Sequence, residues 1–304
     1  MKQYTLVDLQ KDFPNDDVCL ETIFQARYGK LQFCPHCGAE TTFYRLKKKK
    51  AYACKQPHCG FTLSPTANMV FDHSPTPLTK WFYALYLFSV SKNGVSAMEL
   101  QRHLGVTYKC AWRICNQIRL LMQQKSDPLS GIVEIDETYI GGRRKGNEGK
   151  FDNKTAVIGM VEKQKGSGKV KAIATKRADA TIALPFIRAM AKQGTEIQTD
   201  ESTIYHRVKR EYVHHFVNHS KEQYSKDGVS TNTIEGFWSQ MKRSIDGTYH
   251  CVSPKYLQLY VNEFVYRYNL RQQPIAPSLL ELASLKRVQS AYLKWPLGQG
   301  SSGL

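Results

Sequence analysis

Gly131-Ile132-Val133-Glu134-Ile135-Asp136-Glu137-Thr138-Tyr139-Ile140, followed by Gly141-Gly142, is the stretch on which the reading of this chain turns. Its branched aliphatic, Thr and Tyr residues, bounded by glycines, predict a strand. Three carboxylates nevertheless stand within four residues of it, at Glu134, Asp136 and Glu137. A carboxylate inside an apolar strand is costly unless it is paired or holds a cation. Further strands are predicted over 155–162 and 170–175, then a helix over 180–192 and a strand over 196–199 ending on Asp200. Another helical stretch leads to a fifth strand over 212–217.

Three strands in succession, then helix, strand, helix, strand, is the order of a mixed α/β sheet of the ribonuclease H type. Asp200 closes its strand at the carboxyl end, where α/β sheets place ligands. Asn232-Thr-Ile-Glu-Gly-Phe-Trp-Ser-Gln-Met-Lys-Arg243 reads as a helix, with Lys242 two turns beyond Glu235 on the same face and Asn232 one turn before it. Taken singly, each acid reads more readily as a satisfied structural carboxylate or a surface group. Together, acids from two strands and a helix suit two divalent cations about 4 Å apart.

Upstream, Cys34-Pro-His-Cys37 and Cys54-Lys-Gln-Pro-His-Cys59 form two short knuckles. Four thiols so spaced can close a tetrahedral zinc site; His36 and His58 are substitute ligands in principle, but with four cysteines completing the shell they are expected to point outward. The second knuckle, C-x4-C, is two residues longer than the common spacing. Gly38 and Gly60 follow the second cysteine of each pair, where a tight knuckle needs positive φ. A ribbon of some thirty residues cannot build its own core, so zinc would supply much of its folding free energy. The run Arg45-Leu-Lys47-Lys48-Lys49-Lys50 falls at the predicted hairpin tip, as a solvated loop or a phosphate contact. Helices are then predicted over 78–90, 95–104 and 107–122, with Ser96 and Thr107 as N-caps. The last two, joined through Gly105 and carrying Tyr108, Lys109, Arg113 and Arg119, have the outline of a helix-turn-helix. Cys110 and Cys115 read as core, as does the stripe Leu257, Tyr260, Val261, Phe264, Val265, Tyr268 of a final helix, with Arg267 and Arg271 off it.

The chain has 304 residues, with 43 Lys and Arg against 26 Asp and Glu, a net charge of +17. The excess is +8 over residues 1–130, +5 over 131–230 and +4 over 231–304, so the whole length is basic rather than one tail. A polyanionic partner follows. No run approaches the roughly 18 apolar residues of a membrane span, and Met1-Lys-Gln-Tyr-Thr is no secretory signal; the expectation is a cytoplasmic protein with reduced cysteines and no membrane partner.

Four blocks carry a resemblance: Ile135-Asp-Glu-Thr-Tyr-Ile-Gly-Gly142, Thr199-Asp-Glu201, Val217-Asn-His-Ser220 and Thr231-Asn-Thr-Ile-Glu-Gly-Phe-Trp-Ser-Gln-Met-Lys-Arg243. With the ribbon before them, they resemble insertion-sequence DDE transposases of the ISXO-like type. The resemblance spans about residues 15–271. It implies a ribonuclease-H-like catalytic domain using two Mg²⁺ or Mn²⁺ ions, with Asp136 and Asp200 as ligands and the third from Glu235 or Asn232. Glu235 is favoured because an anionic oxygen neutralises a divalent cation better than an amide does. Lys242 and Arg243 would hold phosphate oxygens. His219, in the third block, receives no catalytic role.

The implied partners are the element's terminal inverted repeats and target DNA, handled by a homo-oligomer. DNA contacts are expected from Lys47, Lys48, Lys49, Lys50, Lys109, Arg113, Arg143, Arg144 and Arg243. The expected organisation is an N-terminal helical segment (1–33), zinc ribbon (34–63), helical DNA-binding region (64–127), catalytic domain (128–272) and C-terminal tail (273–304). Two other classes fit parts of the pattern: a non-catalytic zinc-ribbon regulator and a ribonuclease-H-like nuclease that does not join strands.

Overall fold

A computed structural model describes residues 4–47, 49–124, 127–141, 154–164, 166–217 and 229–273, together with 275, 280, 281, 283 and 284. The chain divides into two compact units, one of residues 1–91, 97–121 and 274–304, the other of 92–96 and 122–273. No helix among the described residues is long and apolar enough to cross a membrane.

In the first unit, helix α1 (Leu6–Asp12) starts at a reciprocal cap, Thr5 accepting from the Asp8 N–H while the Asp8 carboxylate takes that of Thr5. Helix α2 (Asp16–Tyr28) is capped by Asn15 and buries Cys19, Leu20, Ile23 and Phe24 along one side. Strands β1 (Phe43–Arg45), β2 (Tyr52–Cys54) and β3 (Thr62–Leu63) form an antiparallel three-stranded ribbon. Tyr52 stacks on Phe24 at 3.9 Å between ring centroids and donates its hydroxyl to Glu21 at 2.5 Å. The apolar contact that a thirty-residue ribbon cannot supply alone therefore comes from α2. Arg45 ties down the hairpin tip, donating to the Leu46, Lys49 and Ala51 carbonyls and pairing with Asp17 at 3.0 Å.

Helices α3 (Leu78–Val90), α4 (Ala97–Leu104) and α5 (Tyr108–Leu121) follow. Thr107 accepts from the Cys110 N–H at 3.3 Å, as an N-cap does. Arg119 corrects the sequence reading. Rather than facing outward with Lys109, it is 1% exposed, its guanidinium 5.4 Å from the centroid of Phe88 and bonded to Asn116. A long aliphatic stem lets an arginine on the buried side of a helix serve as core.

The second unit is built on one five-stranded mixed sheet. Strands β4 (Ile132–Ile140), β5 (Thr155–Glu162) and β6 (Val170–Thr175) are successive and antiparallel, whereas β7 (Glu196–Thr199) lies parallel to β4 and β8 (Val213–Phe216) parallel to β7, giving the order β6-β5-β4-β7-β8. All five coincide with the predicted strands to within one residue at each end. Helix α6 (Ala180–Met190) and the turns over 203–210 cover one face, where Val133, Ile135, Ile158 and Met160 meet Phe186, Ile187, Tyr205 and Val208. Helices α7 (Asn232–Ser244) and α8 (Leu257–Asn269) cover the other, where Val157 and Val161 meet Ile234, Trp238, Val261 and Phe264. With helices on both faces, β5 is buried almost throughout. The stripe on α8 packs into this core as expected. Arg267, read as lying off it, is buried too, paired with the fully buried Glu263 at 2.8 Å.

Candidate active site and metal centre

The ribbon brings Cys34, Cys37, Cys54 and Cys59 together with all four sulfurs within 4.8 Å of one another. Cys34 Sγ and Cys59 Sγ are 3.7 Å apart, close to the separation of about 3.8 Å that tetrahedral Zn–S bonds of about 2.3 Å require. Gly38 (φ 69°) and Gly60 (φ 64°) adopt the left-handed conformation the knuckles need. Desolvation pushes the Cys34 thiol up, but the backbone N–H groups of Cys37 and His36 outweigh it and bring it down to about 6. Cys59 goes the other way: the Phe61 N–H lowers it, but burial and the neighbouring thiols push it up to about 12, so the crowded sulfurs ionise together only with a cation between them. The donor set fits structural zinc.

In the second unit the site follows from strand register and one buried carboxylate. Parallel pairing sets Ile132 beside Glu196 and Glu134 beside Gln198; the same offset carried two residues further sets Asp200 level with Asp136. Alternation along β4 sends Glu134 and Asp136 toward α7 and Glu137 toward the opposite layer. Glu134, fully buried, accepts from the Thr233 N–H at 2.8 Å, the Ile234 N–H at 3.0 Å, the Thr233 hydroxyl at 3.0 Å and the Ser230 hydroxyl at 3.2 Å. Lys163 stands 3.8 Å away. Thr231, at the N-cap, makes no side-chain cap; the strand caps this helix instead. Fixing the first turn of α7 against Glu134 lays its next turn beside Asp136. There Trp238 donates its indole N–H to Asp136 Oδ2 at 3.1 Å. Gly159, paired with Asp136 on β5, makes room: a Cβ there would come within 2.5 Å of the Trp238 ring.

Burial, then the charges of Glu137, Asp200 and Glu235, push the Asp136 carboxyl up to about 7 despite the Glu137 N–H. Glu137 is raised as well, by burial and by Asp200, although the Tyr205 hydroxyl donates to it at 2.6 Å. Glu235 accepts from the Thr231 hydroxyl at 2.6 Å, and Ser202 N–H donates to Asp200 at 3.1 Å. Negative charge gathered around half-buried Asp136 is a donor set that fits hard divalent cations. The carboxylates are not drawn into a cluster as tight as that of the four thiols.

Against known families, the chain matches the ISXO2-like transposase domain over residues 128–269 and the transposase zinc-ribbon domain over 14–62. Residues 128–269 are thus an ISXO2-like transposase domain, preceded by a transposase zinc ribbon. A protein of Halobacterium salinarum described as an uncharacterized protein in transposable element ISH50 is 24% identical over 284 residues, covering 87% of this chain and 94% of that one. Among solved structures, a chain of the simian T-cell lymphotropic virus intasome in complex with PP2A regulatory subunit B56 gamma superposes with a TM-score of 0.29 and 16% identity. That likeness covers 59% of this chain and 66% of that one, and is too loose to carry an argument.

The residues expected at the site fall as follows. Asp200 and Glu235 each act electrostatically on Asp136. Asn232 is exposed in the first turn of α7; Lys242 and Arg243 are exposed in its last turn. Lys47, Lys49 and Lys109 are exposed and Lys50 half-buried, while Arg113 is half-buried and donates to the Asp72 carbonyl at 3.3 Å. Lys48, Arg143, Arg144 and His219 lie outside the described residues. Glu134 corrects the inference from three clustered acids: the α7 N-terminus and Lys163 already satisfy it, so it needs no cation. Trp238 and Tyr205 had no assigned part, yet each bonds a carboxylate of the site. The signal for Trp238 was its position one helical turn after Glu235; nothing local marked Tyr205.

Proposed function

We propose that the chain is an insertion-sequence transposase that cuts phosphodiesters at its element's ends and joins the freed 3′-OH to target DNA. On this reading the second unit is a ribonuclease-H-like catalytic domain of residues 128–272. Asp136, Asp200 and Glu235 would hold two Mg²⁺ or Mn²⁺ ions. What carries the reading is Asp136, half-buried on a central strand and pushed up to about 7, first by desolvation and then by the charges of Glu137, Asp200 and Glu235. Like charges gathered around a half-buried acid do not serve stability; divalent cations offset them.

When bound, such cations lower the pKa of an attacking water and stabilise the departing 3′ oxygen. The chain's own groups do the rest. Trp238 fixes one oxygen of Asp136, and Thr231 holds Glu235 from the turn before it. Lys242 and Arg243 would neutralise phosphate oxygens and hold the strand in line for attack. The exposed lysines of the ribbon tip and the start of α5 would engage the terminal inverted repeats, with α4 and α5 as a helix-turn-helix and two protomers pairing two ends. Glu235 rather than Asn232 is the third ligand, because its charge acts on Asp136.

The test is Mg²⁺-dependent nicking and strand transfer on the element's own inverted repeats. Asp136→Ala and Asp200→Ala should each lower both by at least about a thousandfold, Glu235→Gln likewise, and Asn232→Ala by less than tenfold. Full activity in either aspartate variant would sink the assignment. Loss in Asn232→Ala alone would move the third ligand there. Binding without nicking in the unmutated chain would make it a regulator, and nicking without transfer a nuclease.

A further inference from the structure

On the layer opposite α7, helix α6 and the turn that follows Asp200 enclose a groove of about 330 Å³ lined by Ala180, Leu184, Pro185, Arg188, Arg207 and Arg210, with Thr181 and Glu211 at its edge. Its construction is legible in Tyr205-His-Arg207-Val208-Lys-Arg210-Glu211. The segment forms two short 3-10 turns, in which side chains three residues apart eclipse. Tyr205 and Val208 therefore share the inward face, 0% and 1% exposed, while Arg207 and Arg210 share the outward one. Glu211 is engaged by Arg188, whose Nε donates to it at 2.7 Å. Arg207 and Arg210 pair with no carboxylate among the described residues, which leaves the groove two positive charges in excess.

We propose that this groove grips the phosphate backbone of the target duplex, an inference that rests on the transposase reading. Three guanidiniums over an apolar floor match a sugar-phosphate backbone, since arginine presents a planar fork to phosphate oxygens. The lining has no amide or uncommitted carboxylate to read adenine or cytosine edges, which leaves guanine as the one base its arginines could read and the phosphate backbone as the ligand every sequence offers them. An inverted repeat must be read, whereas a target need only be held. The groove also lies on the segment that begins at Asp200 and carries Tyr205, whose hydroxyl bonds Glu137. The same segment therefore links the groove to the acidic strand.

The full-length chain and the double variant Arg207→Ala/Arg210→Ala are compared in two arms. In the first, affinity for a duplex lacking the inverted repeat is measured between 50 and 200 mM salt. Removal of two phosphate contacts should flatten the slope of log K against log salt by about 1.8. In the second, transfer of a pre-cut end into plasmid DNA should fall about tenfold while nicking of an uncut end stays within about twofold. Because both arginines are exposed, the melting temperature should be unchanged. An unchanged salt slope overturns the proposal, as does an equal loss of nicking and transfer, which would mean that the groove holds the element end. If the unmutated chain neither nicks nor transfers, the transposase reading fails, and the salt slope still decides whether the groove binds DNA.

Discussion

At the scale of single residues, Asp136 sets chemistry against stability. Its folded pKa of about 7 lies above the ordinary 3.8, so between those values the metal-free folded chain keeps a proton that the unfolded chain has lost. Stability therefore falls as pH rises through that window. Asp136→Asn, which keeps an oxygen for the Trp238 N–H, should stabilise the metal-free chain at pH 8 by a few kcal/mol while abolishing nicking. A melting temperature no higher than the parent's would contradict this. Half-buried His214 pulls the other way. Burial, and then His215 and His206, hold its imidazole below the ordinary 6.5 while its Nε2 lies 2.9 Å from the Thr199 hydroxyl. Below about pH 6.5 the unfolded chain takes up a proton that the folded one resists, so stability drains as pH falls. His214→Gln should flatten the acid limb of a stability profile between pH 5 and 6.5. Trp238→Phe keeps the ring over Gly159 and loses the N–H; it should weaken Mn²⁺ binding about ten- to a hundredfold, read by calorimetry, with little change in melting.

Among the elements, α7 shows why a helix sits where it does. Its apolar face, Ile234, Phe237, Trp238 and Met241, is plain from the 3.6-residue period, but a period does not say against which strand or in which register the helix packs. The buried Glu134 decides that by taking the first N–H groups of the helix. Glu134→Ala should cost about 3–5 kcal/mol, since it strands those donors and the Lys163 charge. Denaturant unfolding measures this, and a loss below about 1 kcal/mol would show that Thr231 can cap the helix instead. Sequence made Glu134, Asp136 and Glu137 look equivalent because they are adjacent and chemically alike. Alternation on the strand separates them, leaving one as a cap, one at the site and one on the opposite face against Tyr205. The ribbon was more legible, since cysteine spacing and the two glycines encode its geometry locally. Its dependence on α2 through Tyr52 and Phe24 was not, because that contact spans 28 residues.

Across the whole molecule, a metal-dependent ribbon and helices make one unit, while a sheet covered on both faces makes the other. Chelation of zinc should release hydrogen-exchange protection at β1 and β2 while β4 and β5, buried against helices on either side, remain protected. Loss of protection at β4 would show that the sheet also depends on the metal. The basic excess along the whole chain announced a polyanionic partner, but not that arginines so similar in sequence would part ways: Arg119 and Arg267 are buried, Arg188 is paired, and Arg207 and Arg210 are exposed at a groove.

Local pattern by itself determined the five strands of the sheet, most of the helices, the clustered cysteines and the resemblance, because periodicity, knuckle spacing and contiguous blocks are properties of neighbouring residues; the helical stretch expected between the last two strands is instead two short 3-10 turns. Only the tertiary structure decided which acid does what and which arginine faces outward. A side chain's charge state and exposure depend on the elements packed against it, and those come from residues tens of positions away: Gln198 beside Glu134, Trp238 on Asp136, Tyr205 on Glu137.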